Sequence, residues 1–393
     1  MDLDDWLPEL RERHKDYHWI AARADQLFQA TNAAVRRPPQ HRKAFEALTL
    51  LHSYIVLYDD WARWLRPWYD TLINLQNVKD SRAQTYIWNG LSGLYAVSGD
   101  HKRVRAALQN SLERAEEDDD QDLLLAAYIG LIQLQCLHQD EFFTPELIER
   151  VLRLAKHVNQ FKRWGQLHQA LAMAYNHRGE TDQALGHGQM AYAYWLKMND
   201  TVQMARAAFT LSQVCRIARL FPQAVLFLNV SRTLYAQNPS GARHAVLDYH
   251  QGLIYLDQEN YVEAADWLHY ALQELSRLNQ QHFHVAAAQH SLGIALVHLR
   301  RFDEAQANFE AALTIWQEQQ NDYEHANLYY ALALMEKLRG NTAQAVISLK
   351  QALAVCVRVP PSSLRTRLQE EMRALLTEID KPPAADGSST PSG

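Results

Sequence analysis

Hydrophobic positions in this chain fall in blocks with helical spacing, and from residue 165 onward the blocks return in pairs every 40 or 41 residues. Apolar residues three and four apart put one stripe of each helix toward a core, so the chain predicts consecutive helix pairs and no sheet. One column of the pattern is small. Ala184, Ala224, Ala264, Ala305 and Ala345 hold the same place in five successive repeats, where the second helix of a pair lies so close to the first that only a methyl fits. Upstream the column continues as Val104 and then Trp64. Between these two and Ala184, the unit from Leu123 to Val158 has a turn about four residues longer, "HQDEFFTPEL", in which Thr144 is placed to cap a helix that starts at Pro145.

The ends read as caps, which a stack of repeats needs to cover its open faces. Residues 4 to 36 predict one or two helices stopped by Pro38-Pro39, and Trp6, Trp19 and Phe28 are set to pack on the first repeat. After Pro360-Pro361, a final helix runs to about Ile379 with Leu364, Leu368, Met372 and Leu375 on one stripe. The expected organisation is N-terminal capping helices over 1–40, about eight helix pairs over 41–359, a capping helix over 360–380 and a disordered tail over 381–393.

The stretch from Ser291 to Leu296, followed by Arg301-Phe302-Asp303-Glu304-Ala305, Phe309 and Ala312, resembles the tetratricopeptide repeat (TPR) family. The long period is similar to the arrays of kinesin light chains, Pins-type scaffolds and the sensor region of MalT-type LuxR-like regulators. The resemblance implies an all-α fold, a right-handed α-solenoid of antiparallel pairs whose first helices line a concave groove. Transferred by register, the groove positions are Gln166, Gln169, Asn176 and His177, then Arg206, Phe209, Gln213 and Arg216. Further along they are Tyr249, Asp257, His290, His298, Asn327, Tyr330 and Lys337. Phe209, Tyr249, His290 and Tyr330 form a ladder of rings, either a surface for an extended peptide or helix or gap filling between neighbouring helices. Arg206 and Arg216 are placed to grip a carboxylate. The implied function is a non-catalytic scaffold or adaptor for a protein or peptide; the alternative is a ligand-responsive regulatory domain acting on a separate output protein.

Charge narrows the partners. The net charge is −6 and no Lys/Arg run or basic helix face occurs, which argues against direct nucleic-acid binding. The acidic start "MDLDDWLPEL" and the shortness of the longest apolar stretch, Leu123 to Ile132, point to a cytoplasmic protein without membrane insertion. Cys136, Cys215 and Cys356 sit in apolar helical contexts and read as buried thiols. Chemistry is sparse. His14 and His18 form an i, i+4 pair lacking a third ligand, and His282 and His284 read as solvated loop residues. The run at residues 116–122 reads as a capping turn, and no phosphate loop, nucleophile elbow or metal motif appears. No enzyme activity, metal or cofactor is expected.

The stretch "DDWARWLRPWYDTL" puts Trp61, Trp64 and Trp68 on the face that meets the partner helix, which favours core packing over an aromatic ligand box. Trp64 in place of alanine, together with Pro67, is expected to splay the first pair and to bend or restart its second helix.

Overall fold

The computed structural model describes residues 2–58, 60–77, 80–98, 100–135, 143–236, 241–277, 282–359, 361 and 363–379. Cys136, the first half of the "HQDEFFTPEL" turn and the C-terminal tail lie outside them. Twenty α-helices and no strand occur among the described residues. The N-terminal segment folds as α1 (Leu3–Arg13), α2 (Tyr17–Ala21) and α3 (Ala24–Val35), followed by a 3-10 turn over Pro38–Gln40. That is three helices, not one or two. The reason is local: Asp16 accepts the Trp19 N–H and restarts the chain as α2, and the chain turns again at Ala22 before α3.

Eight antiparallel pairs follow. The first three are α4 (His41–Tyr58) with α5 (Trp61–Asn77), α6 (Ser81–Ser98) with α7 (His101–Glu117), and α8 (Gln121–Gln135) with α9 (Pro145–Val158). Next come α10 (Phe161–His177) with α11 (Thr181–Lys197) and α12 (Thr201–Ile217) with α13 (Phe221–Tyr235). The last three are α14 (Gly241–Asp257) with α15 (Tyr261–Arg277), α16 (His282–His298) with α17 (Phe302–Glu318), and α18 (Asp322–Arg339) with α19 (Thr342–Cys356). A final helix, α20 (Ser363–Ile379), packs on α18 and α19 as the first helix of a further pair would. We call the first helix of each pair A and the second B. Successive A helices touch along α10, α12, α14, α16 and α18, whereas successive B helices stand farther apart, so the A side is the inside of the solenoid's curve.

The turns that join these helices are copies of one device. Gly179, Asn199, Arg219, Glu259, Arg300, Gln320 and Gly340 each take a positive φ, and the next residue donates its N–H back to a carbonyl in the last turn of the helix. Those return bonds, such as Glu180 to Tyr175, Leu220 to Cys215 and Asn341 to Glu336, span 2.8–3.1 Å. The left-handed residue reverses the chain while the bond satisfies an end carbonyl, so each turn closes in three residues. Thr144 caps α9 as its sequence position implies, accepting the Leu147 N–H at 3.2 Å.

Close pairing needs two small positions, not one. The alanine column is the fourth residue of each B helix, and Ala184, Ala224, Ala264, Ala305 and Ala345 are all fully buried. The twelfth residue of helix A is small in the same pairs: Ala172, Ser212, Gly252, Gly293 and Ala333. Ser212 donates its hydroxyl to the Ala224 carbonyl at 2.8 Å, which shows how near the two backbones come. A side chain at Gly293 would begin 2.4 Å from the Phe309 ring. In the first and third pairs the two positions hold His52 with Trp64 and Ile132 with Ile148, and these pairs meet over far less of their length than the others. Trp64 and Trp68 are buried, Phe28 meets Trp64 edge-on at 5.1 Å, and the Trp68 ring fills the space a side chain at Gly90 would need. Helix α5 runs unbroken through Pro67, so the proline does not restart it. Its splay comes from bulk, with His52 against Trp68 at 5.5 Å.

Ion pairs one period apart bind neighbouring repeats. Arg163 grips Asp122 through two bonds of 2.6 Å, Arg82 reaches Asp120 at 2.9 Å, and Arg339 reaches Asp303 at 2.9 Å. Asp120 also caps α8 by accepting the Leu123 N–H, so the acidic run serves the turn. No helix among the described residues is long and apolar enough to cross a membrane.

Candidate functional site: the concave face of α10 to α18

Each A helix offers its inner face to the concave surface, and the expected groove residues divide by depth. Gln169 and His290 are buried at 5% and 6% exposure, while Asn176, Arg206, Phe209, Gln213, Arg216, Tyr249 and Tyr330 are half-buried. His177 and His298 are exposed at the helix ends. Register gives the direction in which a side chain leaves its helix; how far the next A helix covers it depends on the neighbour.

The ring ladder is partly a set of inter-repeat contacts. Phe209 meets His250 of the next A helix edge-on at 4.6 Å, and Tyr249 lies 4.9 Å from the same imidazole. Tyr249 also shares a side-chain hydrogen bond with Ser291 one repeat along. His290 turns inward against Phe309, 5.9 Å away within its own pair. Tyr330 packs into the cluster that α20 closes with Leu368, Met372 and Leu375, and Lys337 reaches Glu378 of α20 at 2.7 Å. Gap filling and an accessible ring edge therefore coexist at Phe209, Tyr249 and Tyr330.

Polar groups along this face are already organised. Arg216 is ion-paired with Asp257, so its charge is met within the chain. Arg206 donates to the amide oxygen of Gln203 at 3.2 Å. Gln213 approaches the Nε2 atom of His250 at 3.4 Å. Burial, with the charges of Arg216 and His284 added, holds His250 well below its ordinary pKa. Burial likewise pushes His290 down to about 4, and burial with the charge of Arg243 does the same to His284. These imidazoles are neutral at pH 7, so the positive charge of this stretch belongs to its arginines. His284 is therefore no solvated loop residue: α16 begins at His282, and the ring sits inside the curve. The side chain of His282 lies outside the described residues.

Sequence reasoning passed over His250, His284 and Arg243, each of which lies on an A helix beside or one turn from a register position. The signal was present in the 34-residue step from His250 to His284, short of one full period, but the ring ladder drew the register one residue away. No group of three His, Cys, Asp or Glu side chains arranged to hold a metal occurs among the described residues. His14 directs Nδ1 to the Arg11 carbonyl at 3.0 Å. In the pair α10 and α11, Trp164, His168, Tyr194, His187 and Tyr175 stack in one column, with 2.8 Å between the two Nδ1 atoms of His168 and His187.

A tetratricopeptide-repeat family model matches residues 284–356. Among solved structures, a Rap protein complexed with competence and sporulation factor is similar over 75% of this chain and 87% of that chain, with a TM-score of 0.57 at 16% identity. The apo form of RapI covers 75% of this chain and 86% of its own, with a TM-score of 0.50 at 14% identity. A signal transduction ATPase with numerous domains and a tetratricopeptide repeat sensor, from Pyrococcus horikoshii, is similar over 89% of this chain and 54% of that protein, with a TM-score of 0.51 at 11% identity. At these identities the likeness is one of fold. No curated protein matches the chain.

Proposed function

We propose, from the premise that this chain belongs to the tetratricopeptide-repeat superfamily, that it is a non-catalytic binding module which holds a peptide or helix of a partner protein along the concave face of α10 to α18. The observation that carries this reading is the half-buried row of Arg206, Phe209, Gln213, Tyr249 and Tyr330, which presents ring edges and hydrogen-bonding groups along one face. Rigid stacked pairs present that row without ordering a loop, which limits the entropy lost on association. The similar Rap protein of known structure is complexed with competence and sporulation factor, which supports a binding role for this architecture.

Capture of randomised acetylated pentapeptides by the full chain tests the proposal. Phe209→Ala lowers the captured yield several-fold, whereas Leu226→Arg, on the exposed side of B helix α13, leaves it unchanged. Equal loss from both variants, or from neither, would remove the concave face from the account.

A further inference from the structure

The outer side of the solenoid carries one irregularity that the repeat does not require. The eighth residue of helix A points toward the B helices: His168 of α10 meets His187 of α11, and Asp248 of α14 meets Arg232 of α13. At the same position α12 has Ala208, α16 has Gln289 and α18 has Tyr329, so a carboxylate stands there in one pair of five. Around it, α13, α14 and α15 enclose a cleft of about 560 Å³ lined by Arg232, His244, Asp248, Asp266, Trp267 and Tyr270. Asp248 is 5% exposed. Arg232 pairs with it at 2.8 Å and lays its guanidinium 5.6 Å from the centre of the Trp267 ring. Asp266 and Tyr270 stand one turn apart on α15, and both are exposed. No cation among the described residues lies within ion-pair distance of Asp266. Two carboxylates therefore share one paired guanidinium.

A buried carboxylate is unfavourable unless enough opposite charge surrounds it. Burial pushes the Asp248 carboxyl above its ordinary pKa, with the charge of Glu274 added, against the pull of Arg232 and His244. Aromatic faces attract cations through the ring quadrupole, and more strongly where water is excluded. We propose that this cleft is a binding site for an organic cation, a guanidinium or primary ammonium on an apolar stem, with its charge toward Asp248 and Asp266 and its stem on Trp267 and Tyr270. Arg232 displays that chemistry within the chain, since carboxylate and indole hold its guanidinium together. An anion would meet both carboxylates, and the one guanidinium is already engaged. The site lies on the B-helix side and is independent of the concave-face reading.

Calorimetric titration of the full chain tests this with two cations, phenethylammonium and acetylated arginine amide, and their neutral counterparts, 2-phenylethanol and acetylated citrulline amide. At least one cation is expected to bind with a stoichiometry of about one and about tenfold more tightly than its counterpart. Binding of phenethylammonium alone would identify a free amine as the ligand; binding of the arginine amide would identify a side chain of a partner protein. Asp248→Asn is expected to remove the preference for the cation, and Asp266→Asn to reduce it about threefold by losing one carboxylate. Trp267→Leu is expected to weaken cation binding about fivefold. Phe209→Ala, on the concave face, leaves it unchanged. Cations that bind no more tightly than their neutral counterparts, or a preference that survives Asp248→Asn, would overturn the site. Because Asp266 is exposed, its variant decides the matter if Asp248→Asn fails to fold: an undiminished preference would overturn the site. Loss of cation binding in Phe209→Ala would move it to the concave face and overturn it equally.

Discussion

The first and seventh helix pairs are built on the same plan and pack differently. In the seventh, the Phe309 ring lies against Gly293 and fills the seam; in the first, His52 meets the Trp68 ring, which lies over Gly90. Small residues at both positions let two helix backbones approach until the seam closes, as between Ser212 and Ala224. Bulk at both holds the helices apart, and the gap is filled from outside, by Phe28 of α3 on Trp64. The third pair, with Ile132 and Ile148, behaves like the first. The difference teaches that the tight pairs after residue 160 form a uniform inner surface, while the first pair depends on aromatic filling and on the capping helix α3.

Substitutions at matching positions break this comparison in opposite senses. Trp64→Ala is expected to destabilise the protein by about 3–5 kcal/mol, because the cavity it leaves is lined by rings that cannot collapse onto it. Denaturant unfolding followed by tryptophan fluorescence measures this; a loss under about 1 kcal/mol would show that the first pair can close after all. Ala305→Leu is expected to cost about 2–3 kcal/mol by overpacking against the Gly293 backbone, the reverse failure at the equivalent site. A neutral outcome would mean that the alanine column tolerates bulk and does not set the helix separation.

Acid sharpens the same comparison with a smaller effect per group. His168, His284 and His290, in the pairs after residue 160, and His52, in the first pair, are each pushed to about 4 by burial. An imidazole whose folded pKa lies below its unfolded value of 6.5 supports the fold above that value and loses its contribution as pH falls toward 4. Each is expected to remove about 2 kcal/mol between pH 7 and pH 5, so the later pairs, with three such groups against one, lose stability first. Melting curves at the two pH values, with fragments of limited proteolysis assigned by mass, test the order of loss.

The sequence made the later half of this fold readable because its signal is local and repeated. Ala184 to Ala345 marked the B helices and Thr144 the start of α9, since a methyl-sized gap and a capping hydroxyl each demand particular residues. The N-terminal helices were less legible: Asp16 caps a helix of only five residues, too short to show a period. Pro67 misled, because a proline in a helix wrapped by aromatic partners need not interrupt it. On the concave face, register placed Phe209, Tyr249 and Tyr330 correctly on the A helices but could not show that His290 turns toward Phe309. Nor did it show that Arg216 is occupied, although Asp257 stands 41 residues away, one period along. Depth and pairing depend on what the next repeat supplies, which a single repeat does not encode.

The central claim is that binding takes place on the A helices of the tightly closed pairs. Hydrogen–deuterium exchange of the full chain, with and without a peptide captured from the randomised set, measures this most directly. The account predicts slower exchange confined to α12, α14 and their A-helix neighbours, with B helices α13 and α15 unchanged. Protection centred on the B helices, or on the first pair around Trp64, would contradict it.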